Sequence, residues 1–136
     1  MGARAITAAV ALAAIVAMPL ASATDYTWNV LGGGTQSWAS AANWDPNSAF
    51  PNSTGDNADL RVGLTGDLAL DVGASGTVTT GIIRFGGSAV AVTTDVTGSG
   101  GALVLNYALA NAQILSSGVA GSVNRISAPL ILGKAT

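Results

Sequence analysis

The chain is 136 residues long with a formal net charge of −2, enough for one domain at most. It has no His and no Cys, which excludes a Ser-His-Asp triad, a thiol nucleophile and an ordinary zinc site. Only 9% of it is charged, and past the first 23 residues the basic residues (Arg61, Arg84, Arg125 and Lys134) are scattered, so no nucleic-acid footprint exists.

Residues 1–23 carry 18 of roughly 67 hydrophobic residues, so the mean hydropathy of +0.50 overstates the rest of the chain. Arg4 and the amino terminus make a short positive region, Ala5–Leu20 is an apolar run, and Pro19 breaks it near its end. Ala21 and Ala23 place small side chains at the −3 and −1 positions. The segment predicts an export signal cleaved after Ala23, before Thr24. The rival, a retained membrane anchor, needs a longer and less Ala-rich run. Export sharpens the meaning of the missing cysteines, because small secreted domains usually rely on disulfides. Cohesion must come from elsewhere, and stacked β-coils supply it.

Residues 24–57 form an aromatic N-terminal cap region holding Trp28, Trp38 and Trp44. Tyr26, Trp28 and Val30 alternate with polar residues and predict a short strand. Gly32-Gly33-Gly34, Asp45-Pro46-Asn47 and the stretch from Pro51 to Asn57 predict turns or loops. Ser37 to Trp44 fits one helical turn, capped by Ser37 or Ser40.

From Ala58 to residue 136 short apolar-alternating runs recur between Gly, Asp, Ser and Thr: Leu60–Val62, Leu68–Val72, Val78–Phe85, Ala89–Val96, Ala102–Asn106, Ile114-Leu115 and Ile126–Leu132. Val, Ile and Thr dominate them, and every acid in the chain is Asp rather than the helix-favouring Glu. One helix-like stretch, Leu103 to Leu115, stands apart for its alanines. The fold expected is all-β: a right-handed parallel β-helix, with a β-sandwich as the alternative. Two runs with their turns span about 20 to 25 residues, near one β-helix coil. The closing strand carries no polar cap, so the coils are expected to continue in a longer protein.

Tyr26-Thr27-Trp28, the Gly run, Trp38, Asn43-Trp44 and Asp56-Asn57-Ala58 together resemble the N-terminal region of bacterial surface or secreted proteins with autotransporter-associated β-strand repeats. Asn124 to Leu132 is similar to the N-x-I-x-A-P-L-x-L strand of those repeats. The resemblance implies β-helix coils and display at the cell surface or in the medium, and it implies no reaction. Neither the strands of a membrane barrel nor a sorting tail of the PEP-CTERM type is seen within the sequence.

Each candidate site has a functional and a structural reading. Trp28, Trp38 and Trp44 either offer a platform that stacks on sugar rings or close the open end of the first coil; exposure decides between them. Asp45, Asp56 and Asp59 with Asn47, Asn52 and Asn57 are the one dense oxygen cluster, but Ala49 and Phe50 interrupt calcium-loop spacing, so turn capping is expected. Asp67 and Asp71, four apart in a strand, share a face at about 13 Å, beyond the roughly 5 to 9.5 Å that glycosidase carboxyls need. Arg84 reads as an outward, solubilising edge residue. Asn52-Ser53-Thr54 is a chance glycosylation match.

The expectation is therefore a non-enzymatic, adhesin-like structural segment of an exported protein, without cofactor or metal, with no nucleic-acid partner and no membrane span after cleavage. Its partner would be an unidentified polysaccharide or protein of the cell surface or surroundings. The alternative is a carbohydrate-binding module or the first coils of a polysaccharide-acting enzyme.

Overall fold

The computed structural model describes residues 22–74, 76–107 and 111–133. Twelve strands and a single 3-10 turn account for their regular structure: β1 Asp25–Trp28, β2 Gly34–Ser37, β3 Trp44–Asp45, β4 Asn57–Arg61, β5 Leu68–Asp71, β6 Thr77–Thr80, β7 Ile82–Gly86, β8 Thr93–Thr97, β9 Ala102–Leu105, β10 Gln113–Ser116, β11 Val123–Ile126 and β12 Leu130–Leu132. The fold is all-β with parallel sheets. No helix among the described residues is long and apolar enough to cross a membrane.

Three sheets share one pairing rule, in which each strand lies parallel to the third strand after it. The first sheet runs β1-β4-β7-β10, the second β2-β5-β8-β11 and the third β6-β9-β12. The exception is β3, which turns back antiparallel onto β1, with Trp28 opposite Trp44. The region up to residue 57 therefore supplies the first strands of two sheets as well as the edge strand β3 that flanks β1.

Side chains alternate along each strand, so register stacks like positions into columns. In the first sheet Tyr26, Ala58, Ile83 and Ile114 line up. In the second Gln36, Leu70, Val96 and Ile126 do so. In the third Val78, Leu103 and Leu130 form one column and Thr80, Leu105 and Leu132 the next. Leu60, Leu70, Ile83, Val96 and Leu103 are buried to 1% exposure or less. The core is thus a set of aliphatic columns built from residues of successive repeats.

Three sequence expectations change. Val78–Phe85 reads as one run but folds as β6 and β7, broken at Gly81. A Cβ there would come within 2.8 Å of the Gly55 Cα, and the Gly81 amide donates to the Asp56 carbonyl at 2.6 Å, so only glycine allows the corner. Ile126–Leu132 likewise is not one strand: Ile126 is the last residue of β11, which starts before the run at Val123, and Leu130–Leu132 is β12, with Ser127-Ala128-Pro129 between them. The repeat is therefore three strands, not two, and register partners lie 25 to 34 residues apart rather than about 20 to 25.

The helix-like stretch is also resolved differently. Its ends are strands β9 and β10, and its alanine centre, 108–110, lies outside the described residues. Leu103 and Leu105 have column partners below them in β6, and burial there outweighs the local helix propensity of the Ala-rich sequence. At the other end, Ala41–Asn43 forms one 3-10 turn with Ser40 at its N-cap position, where the hydroxyl makes no capping bond.

Candidate functional site

The residues of greatest interest lie at the two ends of the columns. At the N-terminal end, Trp28 on β1, Trp44 on β3 and Trp38 after β2 meet in one cluster. Trp28 and Trp44 pack edge to face with centroids 5.1 Å apart, and Trp38 and Trp44 do the same at 5.1 Å. Their exposures are 1%, 0% and 0%.

Each indole N–H is met by a backbone carbonyl. Trp28 Nε1 donates to Val30 O at 2.6 Å, Trp38 Nε1 to Pro51 O at 2.8 Å, and Trp44 Nε1 to Trp38 O at 2.8 Å. A buried indole without such a partner would carry the penalty of an unpaired donor. Asparagines hold the frame: Asn29 Nδ2 donates to the carbonyls of Ala42 and Trp44, and Asn43 Nδ2 to that of Ser37. Asn43 thus has a local task that accounts for an amide just before Trp44.

This geometry corrects the sugar-platform reading of Trp28, Trp38 and Trp44. Stacking needs an exposed ring face, and none of the three presents one. Exposure was the property that the sequence leaves open, since an aromatic cap and an aromatic platform use the same residues.

At the opposite end the columns run out to solvent. Ile114 is 45%, Leu130 42% and Leu132 75% exposed, although their column partners Ile83, Leu103 and Leu105 are buried. Ile131 and Val123 are exposed beside them. Strands β10, β11 and β12 are each the last in their sheet, so three sheet edges and an apolar floor lie together. Sequence alternation marks Ile114-Leu115 and Leu130–Leu132 but misses Val123–Arg125 of β11, and it cannot reveal that their inward-type residues are exposed.

The acids serve as clips. Asp67 Oδ1 accepts from the Thr93 amide at 2.7 Å. Asp71 accepts from the Gly73 and Ser99 amides and from the Ser99 hydroxyl at 2.7 Å. Asp95 accepts from the Ser127 amide and hydroxyl and pairs with Arg125 at 2.7 Å. Each acid thereby ties its own repeat to the next.

These bonds set the carboxyls' charge state. The Ser99 hydroxyl, with the Gly73 and Ser99 amides, holds Asp71 below the usual carboxylate range. Burial pushes Asp95 upward, yet the bonds from Arg125 and Ser127 outweigh it and leave the group lowered. The Arg61 guanidinium does the same for Asp59. A glycosidase acid needs the opposite, a carboxyl raised by its surroundings. Asp67 and Asp71 are both occupied by structural bonds.

The oxygen cluster of the cap region divides in the same way. Asp45 and Asn47 are exposed, Asp59 pairs with Arg61, and Asn52 Oδ1 accepts from the Thr79 amide. Asn57 donates to Asp25 across the β1–β4 step. Asp56 is buried and accepts from the Asn52 and Ser53 amides, which fastens the loop that precedes it. Among the described residues no group of three acids is placed to hold a metal ion. Arg84 is not on an edge strand: β7 lies inside its sheet, where Arg84 stands between Asp59 and Leu115 and its charge helps to lower Asp59.

No family model matches the chain, and no curated protein or solved structure matches it.

Proposed function

We propose that the chain is the N-terminal part of an exported bacterial surface or extracellular protein, built as a right-handed parallel β-helix with a structural, adhesin-like role. The observation that carries this reading is the pairing of each strand with the third strand after it in three parallel sheets. Such pairing is what successive coils of a solenoid produce. The Trp cluster with β3 closes the first coil at its N-terminal end. Backbone ladders and Asp clips give rigidity without disulfides, as an exported, cysteine-free scaffold requires.

Expression of the whole chain in a bacterial host tests this. Intact mass and protease shaving of whole cells should find the protein beyond the inner membrane, cut after Ala23, and bound to cells or to itself. Full retention in the cytoplasm would overturn the reading. Retention on a polysaccharide column instead of on cells would favour the carbohydrate-binding alternative, which must then use a surface other than the indoles. A structure in solution should show the three sheets wound around one interior.

A further inference from the structure

Asp56 differs from the other buried acid, Asp95, in what neutralises it. It is 3% exposed. Its Oδ2 accepts from the amides of Asn52 and Ser53 at 3.1 and 3.0 Å. Its Oδ1 accepts from the backbone nitrogen of Thr24 at 3.0 Å. The ion pairs among the described residues are Arg61–Asp59 and Arg125–Asp95, so all three donors to Asp56 are uncharged amides. Asp56 is thus a buried carboxyl with three amide donors and, among the described residues, no cation beside it.

The third donor occupies a special place. Thr24 N is the atom that hydrolysis of the Ala23–Thr24 bond would convert from an amide to an amine. Water adds across that bond, the acyl carbon leaves as the carboxylate of Ala23, and the nitrogen takes up a proton as an α-ammonium. Ser22 and Ala23 are exposed, whereas Thr24 is held from both sides: its carbonyl accepts from the Asn57 amide at 2.8 Å.

We propose that Asp56 is the receptor for the α-ammonium of a mature N-terminus at Thr24, so that removal of the leader by a signal peptidase completes a buried ion pair. The inference rests on the cleavage reading above and goes beyond it, because it gives the cut a structural consequence. Before cleavage Asp56 meets one neutral N–H at this position. Afterwards it meets a full positive charge with three donors, at a half-buried position beside a buried carboxyl. The pair ties the first residue of β1's approach to the loop preceding β4, and thereby locks the cap to the next repeat. The exported chain is then more stable than its precursor.

The exported protein itself provides the test. Its intact mass first reports the N-terminus. The mature chain has one other amine, that of Lys134, so acetylation blocks two positions whose effects are separable with an Asp56→Asn variant. At pH 6 acetylation should lower the Tm of the wild type by on the order of 5 °C and leave that of Asp56→Asn nearly unchanged. The pair needs the ammonium form, so the Tm difference should shrink as pH is raised past about 8, where an α-amine ordinarily loses its proton. If Asp56→Asn fails to fold, the rate of α-amine acetylation decides, and it should be about tenfold slower in the native wild type than in denaturant. A Thr24 terminus with equal rates, or with equal Tm losses in both proteins, overturns the pairing and leaves the cleavage standing. A terminus elsewhere overturns both.

Discussion

The two ends of this molecule use similar apolar side chains to opposite effect. At the N-terminal end a two-residue strand, β3, folds back over β1, and three indoles fill the space beneath it with every N–H satisfied. At the other end Ile114, Leu130 and Leu132 continue the buried columns, yet they are 45%, 42% and 75% exposed. Hydrophobicity alone therefore does not separate core from surface in a stacked fold. What separates them is whether a further layer exists, because a column residue is buried by its neighbours in the next repeat.

The comparison is broken most severely at the closed end. Trp44→Ala removes the indole that touches both others and strands the Trp28 and Trp38 rings, and a loss of about 3–5 kcal/mol is expected. Urea denaturation of the chain followed by far-UV circular dichroism should show it as partial or complete unfolding in water. Next comes a matched pair in one sheet. Leu103→Ala, inside a column at 0% exposure, should cost about 2–5 kcal/mol, whereas Leu132→Ala, at 75%, should stay within about 0.5 kcal/mol. Equal losses would mean that the open end is covered in solution.

Smaller effects probe the clips and the edge. Replacing Asp71 by Asn should cost about 1 kcal/mol or less, because the Ser99 and Gly73 donors keep a weaker acceptor. The lowered carboxyls of Asp71 and Asp95 set a pH window with a definite sign. Their contribution is present above the unfolded Asp value of about 3.9 and is lost as pH falls through the lower folded values. Thermal melts from pH 6 down to pH 2 should slope more steeply for the wild type than for Asp71→Asn. Finally, Leu130→Lys with Leu132→Lys should leave the Tm within a few degrees. It should also abolish concentration-dependent self-association, read by sedimentation, if the open edge drives it.

Much of the fold was legible from particular residues. Val, Ile and Thr runs punctuated by Gly predict strands because branched side chains suit a pleated surface and Gly suits the corners between them. The Tyr26–Trp28 alternation predicts β1, and its inward pair is indeed Tyr26 and Trp28. Gly81 was harder, since a single Gly within an apolar run marks either a corner or a tolerated strand residue. Leu103 to Leu115 misled because local alanine content carries no information about the β6 column on which Leu103 and Leu105 rest. The Asp clips were invisible, as each joins residues 26 to 32 positions apart.

Composition and local pattern by themselves determined the strand class, the aromatic N-terminal region and the choice of Asp over Glu. These follow from backbone preference and side-chain length, which are properties of residues and their near neighbours. The tertiary structure alone decided the three-strand repeat, the burial of Trp28, Trp38 and Trp44, and the exposure of Ile114, Leu130 and Leu132. Each of those depends on what lies a whole repeat away, and register between distant strands is set by packing and hydrogen bonding that no short window of sequence contains.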